Sequence, residues 1–78
     1  MGKNNLRTSD LFLTAYLTLK GHIIKDVQTD TGGQATFVVE ETPTTRTDML
    51  DFFNRQSTVE PMAYIDQMKV LKSMIRNL

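Results

Sequence analysis

His22 is the only imidazole in a 78-residue chain that contains no cysteine. An imidazole titrating near neutrality can serve as a base or a metal ligand. Either role needs company: a hydroxyl or thiol to activate, or further ligands at metal spacing. The sequence around His22 supplies neither, so it reads as a hydrogen-bonding or capping residue at the junction that Gly21 marks. Paired carboxylates occur as Glu40-Glu41 and as Asp48 with Asp51. In a strand the first pair points to opposite faces, and in the opening turns of a helix the second sits where anions are favoured for local reasons. Neither pair has a third ligand, or the dry setting that splits two carboxyl groups into acid and base. Asp30-Thr31-Gly32-Gly33 has the composition of a phosphate cradle. A cradle must lead into a helix N-terminus, however, and this stretch lies between two strand-like runs. The sequence therefore assigns no catalytic residue, no cofactor and no metal site.

Surface chemistry is better represented. Lys69, Lys72 and Arg76 recur at i, i+3 and i+7, which places three cations on one side of a C-terminal helix. Lys3, Arg7 and Lys20 can extend that line if the two ends of the chain lie side by side, and a row of cations can follow phosphates. The chain is neutral overall, but its charge is segregated. Residues 1–20 with 69–78 hold six basic residues against Asp10 alone, a net of +5, while residues 21–68 hold three basic against eight acidic, a net of −5. No helix-turn-helix signature or interleaved aromatic and basic platform accompanies the cations, which makes nucleic-acid binding the weaker reading. Met62 and Met74 are the soft, adaptable side chains best placed for a protein interface. The sequence thus points to a non-enzymatic interaction protein that binds a protein partner or itself, with weak nucleic-acid binding through the basic termini as the alternative.

The elements that must carry these residues follow from periodicity. Thr8 or Ser9 can cap a helix to Lys20, with Asp10 complementing its positive end. Phe12, Ala15, Tyr16 and Leu19 form its stripe, which Leu11, Leu13 and Leu17 widen until the helix needs cover on two sides. Gly21 ends it. The period then changes to two, with Ile23 and Val27 on one side of an extended run and Ile24 on the other. After Asp30–Gln34 the β-rich run 35–40 sets Ala35, Phe37 and Val39 on one face, giving a β-hairpin. Thr45 with Asp48 fits a capping box opening a short helix whose apolar face is Met49, Leu50 and Phe53. Glu60-Pro61 opens the longest helix, with Ile65, Met68, Leu71, Ile75 and Leu78 at helical spacing. The predicted fold is a small α+β domain of order α-β-β-α-α, its helices packed on a two-stranded antiparallel sheet. Residues 1–7 read as a flexible N-terminal arm of a domain spanning 1–78.

Size and composition bound the rest. A domain of this length buries only about 60–65% of its unfolded surface, so its core is thin. The N-terminal stretch is polar, matching neither a secretion signal nor a spanning helix, and with no cysteine to oxidise the expected compartment is the cytoplasm. The run Thr8-Ser9-Asp10-Leu11-Phe12-Leu13-Thr14-Ala15-Tyr16-Leu17, followed by Gly21-His22, Phe37-Val38, Phe52-Phe53-Asn54, Val59-Glu60-Pro61 and Leu71-Lys72-Ser73, resembles a family of small uncharacterised proteins. Its members come from bacteria and their phages or other mobile elements. That family is known only as a domain of unknown function. The resemblance covers nearly the whole chain, implies one small domain of mobile-element origin, and brings no catalytic or ligand residues with it.

Overall fold

In the computed structural model, which describes residues 4–78, six elements follow one another. These are β1 (Asn5–Thr8), α1 (Leu11–Leu19), β2 (Ile24–Thr29), β3 (Ala35–Glu40), α2 (Thr45–Phe53) and α3 (Pro61–Arg76). The α+β class and the order of helices match the sequence reading; the sheet has a third strand. Its order is β1-β3-β2, with β3 antiparallel to both neighbours. Asn5 to Arg7, assigned above to a mobile arm, are therefore strand residues, and the arm's first three residues lie outside the described part. Only four residues long, β1 is too short for alternation to announce it. Its pairing supplies what its length cannot: Leu6 lies opposite Val39 and turns onto the core.

The hairpin follows from its turn chemistry. Asp30 Oδ1 accepts from the backbone N–H groups of Gly32 and Gln34, both at 2.9 Å, while the Gly33 N–H donates to the Asp30 carbonyl at 3.0 Å. Gly33 takes φ +83°, so the loop is a turn closed by a left-handed glycine. One expectation fails in β2. The register shifts between Ile24 and Asp26, and this bulge brings Ile24 and Val27 to the same inner face. Ile23, placed with Val27 on one side by the sequence reading, is left exposed outside the strand. One extra residue reverses the alternation, which a strict period of two cannot foresee. Asp26 also accepts from the Val27 N–H at the bulge, at 2.9 Å, which uses a backbone donor of this edge strand locally.

The molecule measures 37 × 34 × 18 Å, its short axis having room for one sheet and one layer of helices. Within that layer α2 and α3 flank α1. Five consecutive residues of α1, Leu13 to Leu17, are buried, as the broad apolar arc requires. Leu13, Tyr16, Leu17, Phe37, Val39 and Leu71 form the core, and burying each large side chain contributes roughly 1.5–3 kcal/mol. Asp10 is the α1 N-cap, accepting from Phe12 and Leu13 N–H, in place of Thr8 or Ser9. On α3 the Glu60 carboxylate caps Ala63 N–H, with Pro61 at the first helical position.

Helices α1 and α2 end in the same backbone motif. After α1 the His22 N–H donates to the Leu17 carbonyl and the Gly21 N–H to Thr18, with Gly21 at φ +94°. After α2 the Gln56 N–H donates to Asp51 and the Arg55 N–H to Phe52. Both are Schellman closures, but the left-handed position is glycine in the first and Arg55, at φ +59°, in the second.

Candidate interaction surface

Sequence spacing left His22 without a partner, and the fold provides two. Its Nε2 lies 2.6 Å from Asp48 Oδ2 and its Nδ1 lies 3.3 Å from Thr45 Oγ1. Thr45 Oγ1 in turn accepts from the Thr42 N–H at 2.8 Å. Asp48 therefore does not act in a capping box. Thr45 lies inside the helix, Thr44 stands at the N-cap without a side-chain bond, and the Asp48 carboxylate turns to His22 instead. The order carboxylate, imidazole, hydroxyl is that of a nucleophilic relay. Here Thr45 is 1% exposed with its hydroxyl already engaged with backbone, and the His22 side chain is 4% exposed. A hydroxyl so enclosed has no approach for a substrate, so the cluster joins the start of α2 to the chain entering β2. Among the described residues no group of three or more His, Cys, Asp or Glu is placed to hold a metal ion.

Two further polar candidates, Glu40 and Asp30, are engaged by the fold. Glu40 lies 3.8 Å from Lys25, and the Asp30 carboxylate fills the concavity of its own glycine turn where a phosphate would otherwise sit.

The cations are distributed over three places. Arg7 is on the face of the sheet away from the helices, opposite Val38, and donates to Gln28 Oε1 at 3.0 Å. Lys20, the C-cap of α1, stands 5.5 Å from the centre of the Tyr16 ring. With Leu19 it lines an open pocket of about 220 Å³ that Thr58, Val59, Glu60 and Ala63 also line. Lys69, Lys72 and Arg76 are exposed along one flank of α3 and make no ion pair among the described residues. Lys3 lies outside the described part. The α3 cations thus stay together, while Arg7 and Lys20 stand apart from them. Lys20 is beside the first turn of α3, and Lys69 begins about 13 Å further along at 1.5 Å per residue.

Apolar side chains are the larger surprise. Helix α3 turns Tyr64, Met68, Leu71 and Ile75 inward. It leaves Met62 (59% exposed), Ile65, Val70 and Met74 (37% exposed) outside, with Leu78 just beyond its end. Met62 and Met74 are both on the surface, about 120° apart around the helix at 100° per residue. On α2 the inward residues are Thr45, Met49 and Phe52. Leu50 and Phe53, expected in the core with Met49, are 49% and 57% exposed. The spacing Thr45, Met49, Phe52 at i, i+4, i+7 carried the right face. It was obscured because its first member is a threonine, buried here by its bonds to His22 and Thr42.

The Tyr64 hydroxyl donates to the Phe12 carbonyl at 2.9 Å, fastening α3 to α1. Desolvation there, followed by the nearby Asp10 carboxylate, holds the phenol pKa above its ordinary value. No helix among the described residues is long and apolar enough to cross a membrane. Residues 3–77 match the family model DUF5659, described as a domain of unknown function. No curated protein and no solved structure matches the chain.

Proposed function

Given that the chain belongs to the DUF5659 family, whose description assigns no activity, we propose from its surfaces that it is a cytoplasmic interaction module. It acts by binding a protein partner or a second copy of itself, without catalysis. One observation carries this reading: α3 presents as many large apolar side chains to solvent as it gives to the core. Exposed apolar area of that extent on one long helix is what interaction surfaces display, since leaving it in water forgoes roughly 25 cal/mol per Å². His22, Asp48 and Asp30, three of the polar groups that could support catalysis, are at the same time engaged in the His22 clasp and the hairpin turn. The resemblance to small mobile-element proteins supports a role as an accessory factor of a phage or similar element.

A second reading has its own support. Lys69, Lys72 and Arg76 form an exposed, uncompensated row, and such a row suits weak, salt-sensitive phosphate contact. Light scattering and partner capture on the purified protein, read across a salt series, separate the two. The protein-interaction reading expects association that persists as salt rises and is lost in Met62→Glu or Met74→Glu. A salt-dependent gel shift abolished by Lys69→Glu with Lys72→Glu, in a chain that otherwise stays monomeric, overturns it in favour of nucleic acid.

A further inference from the structure

We propose that the outer face of α2, formed by Arg46, Leu50, Phe53 and the adjoining Arg55, docks an acidic segment of another protein that carries a large apolar side chain at its centre. The site is separate from the α3 surface and does not depend on it. Arg46, Leu50 and Phe53 lie within about 60° of one another around the helix at 100° per residue. All are exposed, as is Arg55 directly after the helix. The carboxylates of the same helix are turned away. Asp48 is bound to His22, and Asp51 lies about 100° or more from Leu50 and Phe53. Neither arginine has an ion-pair partner among the described residues. The result is an exposed apolar pair with an arginine one helical turn before it and another just past the helix end, neither in an ion pair among the described residues, which is the complement of an apolar residue flanked by carboxylates.

Two further features indicate a prepared surface. Phe53 stands edge-on to Phe52, with ring centres 5.5 Å apart and planes at 73°, and Phe52 in turn packs on the buried Tyr16 ring at 5.5 Å. The exposed ring is therefore held by a chain of aromatic contacts running into the core, so little side-chain freedom is lost when a partner covers it. The second feature is Arg55. It occupies the left-handed position where the equivalent closure after α1 has glycine. An L-residue there is strained, and glycine would close the helix without that strain. A strained position occupied by a long cationic side chain, two residues after an exposed phenylalanine, points to a use for that side chain. Arg46 and Phe53 are about two helical turns apart, and Arg55 follows two residues beyond the end of the helix.

The test uses the full isotopically labelled chain and three probes, followed residue by residue by NMR. One is a synthetic helical peptide with a leucine face bracketed by glutamates; the second has lysine in place of each glutamate; the third is a single-stranded DNA oligonucleotide. The proposal expects the glutamate peptide to shift Arg46, Leu50, Phe53 and Arg55, and the lysine peptide to leave them unmoved. Phe53→Ala, and Arg46→Glu with Arg55→Glu, each weaken binding by about tenfold or more. Arg55→Gly is the variant that cannot mislead by misfolding, because it raises the melting temperature while weakening the peptide. Absence of shifts with the glutamate peptide at ~1 mM, or shifts confined to α3, overturns the proposal. So does binding that Arg55→Gly leaves unchanged. DNA that occupies the same four residues and is indifferent to Phe53→Ala also overturns it, because the face would then be reading charge alone.

Discussion

Removing the imidazole of His22 tests whether the clasp between α2 and the β2 approach holds the fold together. In His22→Ala the Asp48 carboxylate loses its 2.6 Å partner and Thr45 Oγ1 loses one of its contacts, while the Thr42 N–H keeps its acceptor. A hydrogen bond to a charged group is worth about 1.5–3 kcal/mol, and stripping one partner from a fully buried pair costs about 3–5 kcal/mol. The Asp48 side chain is 21% exposed, so water recovers part of that loss. We expect a destabilisation of about 2–3 kcal/mol, in the upper part of the first range and below the second. For a domain of this size the total is about 4–12 kcal/mol, so the change is large enough to read cleanly. Urea unfolding followed by circular dichroism gives the difference as a shift in midpoint at constant slope. Asp48→Asn keeps a hydrogen-bonding group and should cost about 1 kcal/mol, and the double variant should show a coupling of about 1 kcal/mol or more. A loss below about 0.5 kcal/mol in His22→Ala with no coupling to Asp48 would mean that the clasp adds no measurable stability and does not hold α2 in place.

Three other outcomes follow from the same structure. The paired helix closures predict opposite signs: Gly21→Ala should destabilise by about 1 kcal/mol from backbone strain alone, since a Cβ there meets no atom within 4 Å, whereas Arg55→Gly should stabilise by up to about 1 kcal/mol. Melting temperatures report both, at about 4–8 °C per kcal/mol for a domain of this length. Leu71→Ala removes the one fully buried side chain of α3 and should cost about 2–5 kcal/mol in denaturant unfolding, with α3 packing lost first in hydrogen exchange. The raised pKa of Tyr64 makes stability pH-dependent in a stated direction. The neutral phenol is favoured in the fold, so its contribution is present below the unfolded value near 10.0 and is lost as pH rises through the folded one. Melting curves between neutral and alkaline pH should therefore fall more steeply for the native chain than for Tyr64→Phe.

Much of the architecture was legible residue by residue. The broad arc of Leu13, Tyr16 and Leu17 announced a helix covered on more than one side, and Glu60-Pro61 marked the start of α3 because a proline there gives up no hydrogen bond. Asp30 with Gly32 and Gly33 specified the hairpin turn through bonds that span only four residues. The errors fell where a distant partner chose between local options. Asp48 suited a capping box equally well, and only the arrival of His22, 26 positions away in sequence, drew it off. Leu50 and Phe53 looked like core because a nine-residue helix with Met49, Leu50, Phe52 and Phe53 can present more than one apolar face, and the choice among them rests on what the helix is laid against.

Periodicity, turn chemistry and caps are properties of neighbours along the chain, and from them the amino-acid order alone determined three helices, a hairpin and the α+β class. Three things were left to the tertiary structure: the pairing of β1 with β3, the bulge that turns Ile24 and Val27 to one side, and the emergence of the α2 and α3 apolar side chains into solvent. Each of these depends on contacts between segments far apart in sequence, whose free energy appears only once the chain has closed the loops between them.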